Sequence, residues 1–443
     1  MVNYGMARRP GRIPLYKGRQ AGTSFSLAGL VEFGGGTYYW RIDEVEGDGT
    51  TIHKGQTWAF TVPGFLIVDD FESYTDEVTG RIFQTWIDGW GFTEPAPGNP
   101  GNGTGSTVGY TNPPFAERTI VHGGKQSMPF GYDNSASPNY SETERTFDTL
   151  QDWTVSGVTT LSLWVRGYPQ LTSVAVTETG GKMTLTGDGS DIWNASDDFV
   201  YAFKSLNGDA TIVARVVSLG TGTNTWAKAG VMVRDSIDGS SMFAAMVITA
   251  NTDGTAGNGA SFQYRAPSAL TGASTDSTAV VAAPYWVKLE RAGDLFTGYV
   301  SPDGNAWSPV GMQEIAMSAP VYIGLCVTSH QAGEQRTFQF ESIKTTGSVT
   351  GAWQGAQIDS PKFNSPQDLY VAVQDSTGKV AVVTNAAAVN STAWTEVQMP
   401  LSNFTGVSMT KVKKVFIGVG SRSNPVADGT GMLFIDDIRV VKP

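Results

Sequence analysis

The chain has 443 residues, with 53 Gly, 21 Pro and 12 Trp, 16% charged side chains and a formal net charge of −11. That length exceeds one ordinary β-sandwich and points to two to four domains, while the negative charge repels a phosphate backbone and excludes nucleic acid as a partner. The Ala, Leu, Glu and Lys runs of long helices are missing, and no apolar run reaches membrane-spanning length.

What remains is short stretches rich in Val, Thr, Phe, Tyr and Trp, bounded by Gly, Asn, Asp, Ser and Pro, the pattern of many strands joined by tight turns. The expected fold class is therefore all-β. Residues 1–22 read as irregular, and the basic start MVNYGMARRPGRIP lacks the apolar segment of an export signal. Residues 36–62 read as two strands around the turn EGDGTT. From Phe65 a new unit opens with FLIVDDFESY, and the chain ends on a similar strand, MLFIDDIRVV. Between them SETERTFDTL, LSLWVRG, LYVAVQDSTGKVAVV, WTEVQMPL and VKKVFIGVG alternate as strands, with a break between Arg166 and about Pro366. The intervening stretch carries its own set of strands, including a hairpin turn at Ser301–Gly304, so a second sandwich is expected inside a loop of the first. The single cysteine, Cys326, lies in VYIGLCVTSH and excludes a disulfide framework.

Three resemblances follow from these motifs. The strands WRIDEV and WAFTV resemble the C-terminal half of a fibronectin type III module, giving a partial segment over 1–63. IVDDFESY, SMPFGYDN, SETERTF, LSLWVRG and FIDDIRV resemble a galactose-binding-like jelly roll of the carbohydrate-binding-module kind, split over 64–168 and 351–443. DDFVYAFKSLNGDATIVARV, KAGVMVRDSIDGSS and VKLERAGDLFTGYVSPDG resemble a concanavalin A-like sandwich over 169–350. The combination is similar to secreted, carbohydrate-active, planctomycete-type proteins. It implies an extracellular or cell-surface location, with the export signal outside this chain.

Candidate chemistry falls in two groups. If the first and last strands of the outer jelly roll are neighbours, Asp70, Glu72 and Asp437 converge, and packed carboxylates call for a cation such as Ca²⁺. Structural calcium at that place is what the jelly-roll resemblance implies; solvated edge charges are the alternative. Sugars stack their C–H faces on aromatic rings, which nominates Trp86 and Trp90, the set Tyr132, Asp133, Asn134 and Arg145, and Trp193 and Trp226 in the insert. Trp86 and Trp90 could equally plug a core. No metal-binding histidine spacing, nucleophile elbow or phosphate loop is present, and no catalytic residue is assigned. The expected function is non-catalytic polysaccharide binding. Self-assembly through the incomplete N-terminal module is the first alternative. A glycan-degrading enzyme using Glu142 or Glu144 is the second.

Overall fold

The computed structural model describes residues 2–7, 15–22, 24–222, 224–250, 259–360, 362–386 and 388–442. Among the described residues there is no α-helix, so none is long and apolar enough to cross a membrane, and the chain is all-β. It divides into two compact units. One combines Met1–Tyr168 with Asn364–Pro443, and the other is Pro169–Phe363. The inner unit runs past residue 350 because its last strand, Arg336–Ile358, continues unbroken through that position.

The first unit begins with a small sheet. Its strands run in the order Leu15–Gln20, Val2–Ala7, Gly36–Val45 and Ile52–His53, and Thr57–Val62 also pairs with Gly36–Val45. The first 22 residues are therefore not wholly irregular. Two strands form there because Val2–Ala7 finds a partner 40 residues away, with Val2 opposite Glu44 and Met6 opposite Trp40. Short-range patterning does not reveal such a pairing.

The rest of this unit is a sandwich. One sheet has the order Val380–Asn385, Leu369–Asp375, Val412–Val419, Ser141–Gln151 and Trp86–Ile87. The other has Thr395–Pro400, Thr160–Arg166, Thr430–Val441, Met128–Asp133 and Ser106–Val108, with Phe65–Asp69 also against Thr430–Val441. The alternate residues Val371 and Val373, and Val415, Ile417 and Val419, face Leu161, Leu163, Leu433 and Ile435 across the interior. Burying one such aliphatic side chain is worth about 1.5–3 kcal/mol.

In the inner unit the strands pair into one continuous thirteen-stranded sheet that folds over on itself. The strand Phe199–Ser218 serves both layers. Its first half pairs with Val321–Thr328 and its second with Tyr285–Ala292, the register shifting between Asn207 and Ala210 where the strand bends. Val200, Ala202, Val231, Met246, Phe262 and Leu325 form the core between the layers. The opposite face of the first layer carries a second apolar cluster of Phe199, Tyr201, Phe203, Met232, Phe243 and Cys326, joined by Ile192 and Ile358. The free Cys326 is buried there, and burial pushes its thiol up to about 12. A face of that kind would normally be open to water. Here the segment carrying Ile192 covers it.

Candidate functional site

The five-stranded sheet of the outer sandwich turns one face away from the core, and its register lays three rows of side chains across that face. Val382, Ala372, Phe416, Glu144 and Ile87 form one row; Thr384, Tyr370, Gly418 and Glu142 form the next. Val380, Gln374, Lys414 and Thr146 form the third. Four strand-to-strand steps of about 4.8 Å give the first row a length of about 19 Å, and three steps give each of the others about 14 Å.

At the centre of the face Ala372, Tyr370, Phe416, Gly418 and Glu142 are buried, and the exposed positions are Val380, Val382 and Thr384 at one edge and Thr146 toward the other. The Tyr370 ring lies directly over Gly418, where a Cβ would come within 2.2 Å of the ring. Its hydroxyl donates to Glu142 Oε2 at 2.8 Å. Burial raises the Glu142 pKa, opposed by Arg422, 3.6 Å away, and by the Tyr370 hydrogen bond. The Arg422 guanidinium lies 4.7 Å over Phe416, and its Nη1 is buried without a partner. Lys414 donates to Glu144 Oε1 at 2.7 Å. At one end of the face a cleft of about 360 Å³ is lined by Tyr370, Val380, Val382, Thr384, Arg422 and Ser423. At the other a cleft of about 620 Å³ is lined by Gln84, Ile87, Asn99, Glu144, Arg145 and Thr146.

The residues nominated from sequence distribute unevenly around this face. Trp90 is 78% exposed. The buried Asp88 fixes its turn, Oδ1 accepting from the Trp90 and Gly91 amides at 3.0 and 2.7 Å and Oδ2 from Val108 N at 2.8 Å. Only glycine fits at 91, where φ is +67° and a Cβ would sit 2.0 Å from Asn99 O. Trp86 is instead fully buried and donates from Nε1 to Asp69 Oδ2 at 2.8 Å. It is a core plug and cannot meet a ligand. Tyr132 is also buried, its hydroxyl donating to Ser365 O at 2.7 Å. Asn134 is sealed as well, bonded to Val419 O and Ser141 Oγ at 3.0 and 2.7 Å. Asp133 is exposed but occupied in a turn with the Ser135 amide and hydroxyl. Arg145 shares the core-facing parity of its strand and turns inward, ion-paired to Asp69 and bonded to Val68 O at 2.6 Å.

Asp69 is thus a hub that the sequence reading did not nominate. It accepts from the Phe71 amide, Tyr74 Oη, Trp86 Nε1 and Arg145 Nη1. A polar residue next to a strand end is too common a signal to single it out.

The first and last strands do pair, Phe65 opposite Val441, but the expected calcium ligands do not gather into a metal site. Among the described residues no group of three or more His, Cys, Asp or Glu side chains is placed to hold a metal ion. Glu72 is taken by the amides of Lys125 and Gln126 at 2.8 and 3.1 Å. Asp437 is taken by His122 Nδ1 at 2.8 Å and by Arg439, and Asp70 accepts from the Glu72 amide at 3.3 Å. Repulsion among the acids is relieved by these protein donors. The neighbouring Asp436, excluded from water, is pushed up to about 6, although the amides of Gly123 and His122 oppose the shift.

In the inner unit Trp193 and Trp226 are both half-buried, and each ring centre lies 5.8 Å from Lys228 Nζ. These two nominated residues are therefore brought together.

No family model matches the chain, and neither does a curated protein sequence. Among solved structures it is similar to a functionally unknown protein from Saccharomyces cerevisiae, at 18% identity over 41% of this chain and 98% of that one, with a TM-score of 0.28. It is similar to the GH43 protein BlXynB from Bacillus licheniformis at 12% identity over 70% of this chain and 63% of that one, with a TM-score of 0.27. A seed lectin of Lotus tetragonolobus aligns at 11% identity over 43% of this chain and 94% of that one, with a TM-score of 0.26. The chain spans less than two thirds of the length of the Bacillus protein. The functional reading below rests on the chain's own residues.

Proposed function

We propose that this chain is a non-catalytic glycan-binding protein acting at the cell exterior, and that the open face of the outer five-stranded sheet receives a polysaccharide chain. The observation that carries the reading is the lining of the cleft of about 360 Å³ at the edge of that face. Val380 and Val382 are exposed for apolar contact with C–H faces. The Arg422 side chain, 31% exposed and lining the same cleft, offers guanidinium donors to ring hydroxyls. Sugar sites combine these two kinds of surface because each sugar ring has both. Trp90, on its braced turn, adds a rigid stacking surface.

The two acids on this face are tied into structure. Glu142 is bound by Tyr370 and almost sealed, and Glu144 is paired with Lys414. Both sit on one strand at alternate positions, whereas glycoside hydrolysis needs two carboxylates on opposite sides of the scissile bond. The test is affinity electrophoresis of the full chain in gels containing neutral plant and algal polysaccharides. Arg422→Ala and Val382→Asp are each expected to release the chain at least tenfold. Retardation unchanged in both variants, or reducing ends liberated by the wild type and lost in Glu144→Gln, overturns the reading.

One observation favours a second reading, self-assembly. On the small N-terminal sheet Trp40 and Trp58 lie with ring centres 4.8 Å apart, and Trp58 remains exposed. Concentration-dependent sedimentation that Trp58→Ser abolishes would establish it.

A further inference from the structure

We infer that the inner sandwich carries its own saccharide site, built from Trp193, Trp226, Asp191 and His330 around Lys228, and that this site takes neutral in preference to anionic sugars. The inference shares with the proposed function the idea of glycan binding, but stands on a different unit and different residues.

Three separate segments converge there. Lys228 opens the strand Lys228–Arg234, and its side chain is buried. Its ammonium is ion-paired to Asp191 Oδ1 and lies 3.4 Å from Ile192 O. The other oxygen of Asp191, Oδ2, faces His330 Nε2 at 3.1 Å. Desolvation works against the Asp191 charge, but His330 and Lys228 more than offset it and hold the carboxyl below its ordinary range. The two indoles flank the same ammonium, so they lie within twice the 5.8 Å ring-to-nitrogen distance of each other.

The parts are held in place before any ligand arrives. The Trp193 carbonyl accepts from Arg265 Nη2 at 2.8 Å, the Asn194 carbonyl from Arg265 Nε at 3.1 Å, and Ile192 is locked in the apolar cluster beneath. The Trp193 ring packs on the backbone of Gly272, where a Cβ would approach it to 2.8 Å. Asn224 ties the other side, its Oδ1 accepting from Trp226 N and its Nδ2 donating to His330 O, both at 2.9 Å. His330 itself holds a φ of +59°, a conformation non-glycine residues adopt only where the surroundings impose it.

What this arrangement offers to water is chemically specific. Trp193 and Trp226 are half-exposed, and the Asp191 and His330 side chains are 24% and 28% exposed, whereas Lys228 is hidden behind them. A carboxylate has lone pairs to spare beyond two donors. In the neutral tautomer that donates Nε2–H to Asp191, His330 Nδ1 is an acceptor. Two acceptors between two indole surfaces match adjacent hydroxyls on a ring whose C–H face stacks on tryptophan. Asp191 lies in an acidic stretch: its backbone pairs with that of Asp198, and burial, with Asp198 and Asp188 nearby, pushes up the Asp359 carboxyl. A uronate or sulfate group is repelled there.

The experiment is calorimetric titration of the full chain with cello- and xylo-oligosaccharides, and with oligogalacturonides as the anionic probe. It compares the wild type, Arg422→Ala, which disables the outer face, and variants of the inner site in both backgrounds. In the Arg422→Ala chain a neutral oligosaccharide is expected to bind. Trp226→Leu should weaken it at least tenfold, Trp226→Phe should retain most of it, and His330→Asn should weaken it several-fold, with unchanged melting temperatures. Oligogalacturonides should bind at least tenfold more weakly than neutral chains. Neutral binding that Trp226→Leu and Trp193→Ala leave unchanged, or a preference for the anionic probe, overturns the inference while leaving the outer face as proposed. Binding lost in the inner-site variants and untouched by Arg422→Ala retains the inference and overturns the outer-face reading. No binding to either probe by any form overturns both.

Discussion

In the outer sandwich Lys414 pairs with Glu144, and Arg422 with Glu142, on the outward face of a sheet. In the inner sandwich Arg234 and Arg265 lie on the corresponding outward side of a sheet but are sealed beneath a covering segment, both bonded to Asp197. On that face Lys414, Glu144 and Arg422 keep partial contact with water, so their pairing contributes little to stability. The sealed face has replaced water with a complete set of protein partners. Arg265 alone reaches Trp193 O, Asn194 O, Gly239 O, Ser241 O and both oxygens of Asp197. The comparison teaches that a charged residue on a sheet face reports function or architecture according to what covers it.

The largest expected effect tests the sealed side. Asp197→Ala leaves two buried guanidiniums without their carboxylate and should destabilise the inner unit by about 3–5 kcal/mol, read as an early transition in urea unfolding. A loss below about 1 kcal/mol would mean the covering segment is not held by this triad.

Asp69→Ala is the matching change in the outer sandwich. It should cost less, about 2–3 kcal/mol, because its partner Arg145 still reaches water while Trp86 and Tyr74 lose a buried acceptor. If the two substitutions cost the same, solvent access to the cation does not separate the hubs.

A third test uses pH. Asp436 is raised to about 6 when folded, so the native state holds its proton more tightly than the unfolded chain does. Stability therefore rises as pH falls from above 6 toward 4, on the order of 1–2 kcal/mol. Glu117 runs the other way. Burial opposes its charge, but the hydroxyls of Thr119 and Tyr110 and the amides of Ile120 and Thr119 hold it down to about 2, so its contribution is lost as pH falls below the ordinary carboxylate range. The melting temperature should peak near pH 5, and Asp436→Asn should flatten the rise between pH 7 and 5 while leaving the acid limb.

The smallest effect belongs to Trp90→Ala. At an exposed position it should change stability by less than about 0.5 kcal/mol while weakening polysaccharide retention. A large stability loss would instead place the ring in the fold's support.

The sequence-nominated aromatics illustrate why sites are harder to read than folds. Trp86 and Trp90 stand four residues apart in one Gly-rich stretch, yet one is sealed against Asp69 and the other stands in solvent. The same holds for the acids. The paired Asp-Asp motifs signalled convergence of the chain ends correctly, and the ends do pair, but the carboxylates meet backbone amides, histidine and arginine. Trp193 and Trp226 were legible as loop aromatics. Their meeting at Lys228, and the part played by His330 more than a hundred residues on, were not.

Composition and alternation by themselves determined that this chain is a set of β-sandwiches, because strand patterning is local and each apolar face must be buried by something. They also determined that long α-helices and membrane-spanning helical segments have no place among the described residues. Tertiary structure alone decided which of two neighbouring rings is wet, which acid receives an arginine, and which sheet face stays open. Those outcomes depend on strands paired across dozens to hundreds of residues, such as Val2 with Glu44 and Ile438 with Asp69, and no local pattern encodes the partner.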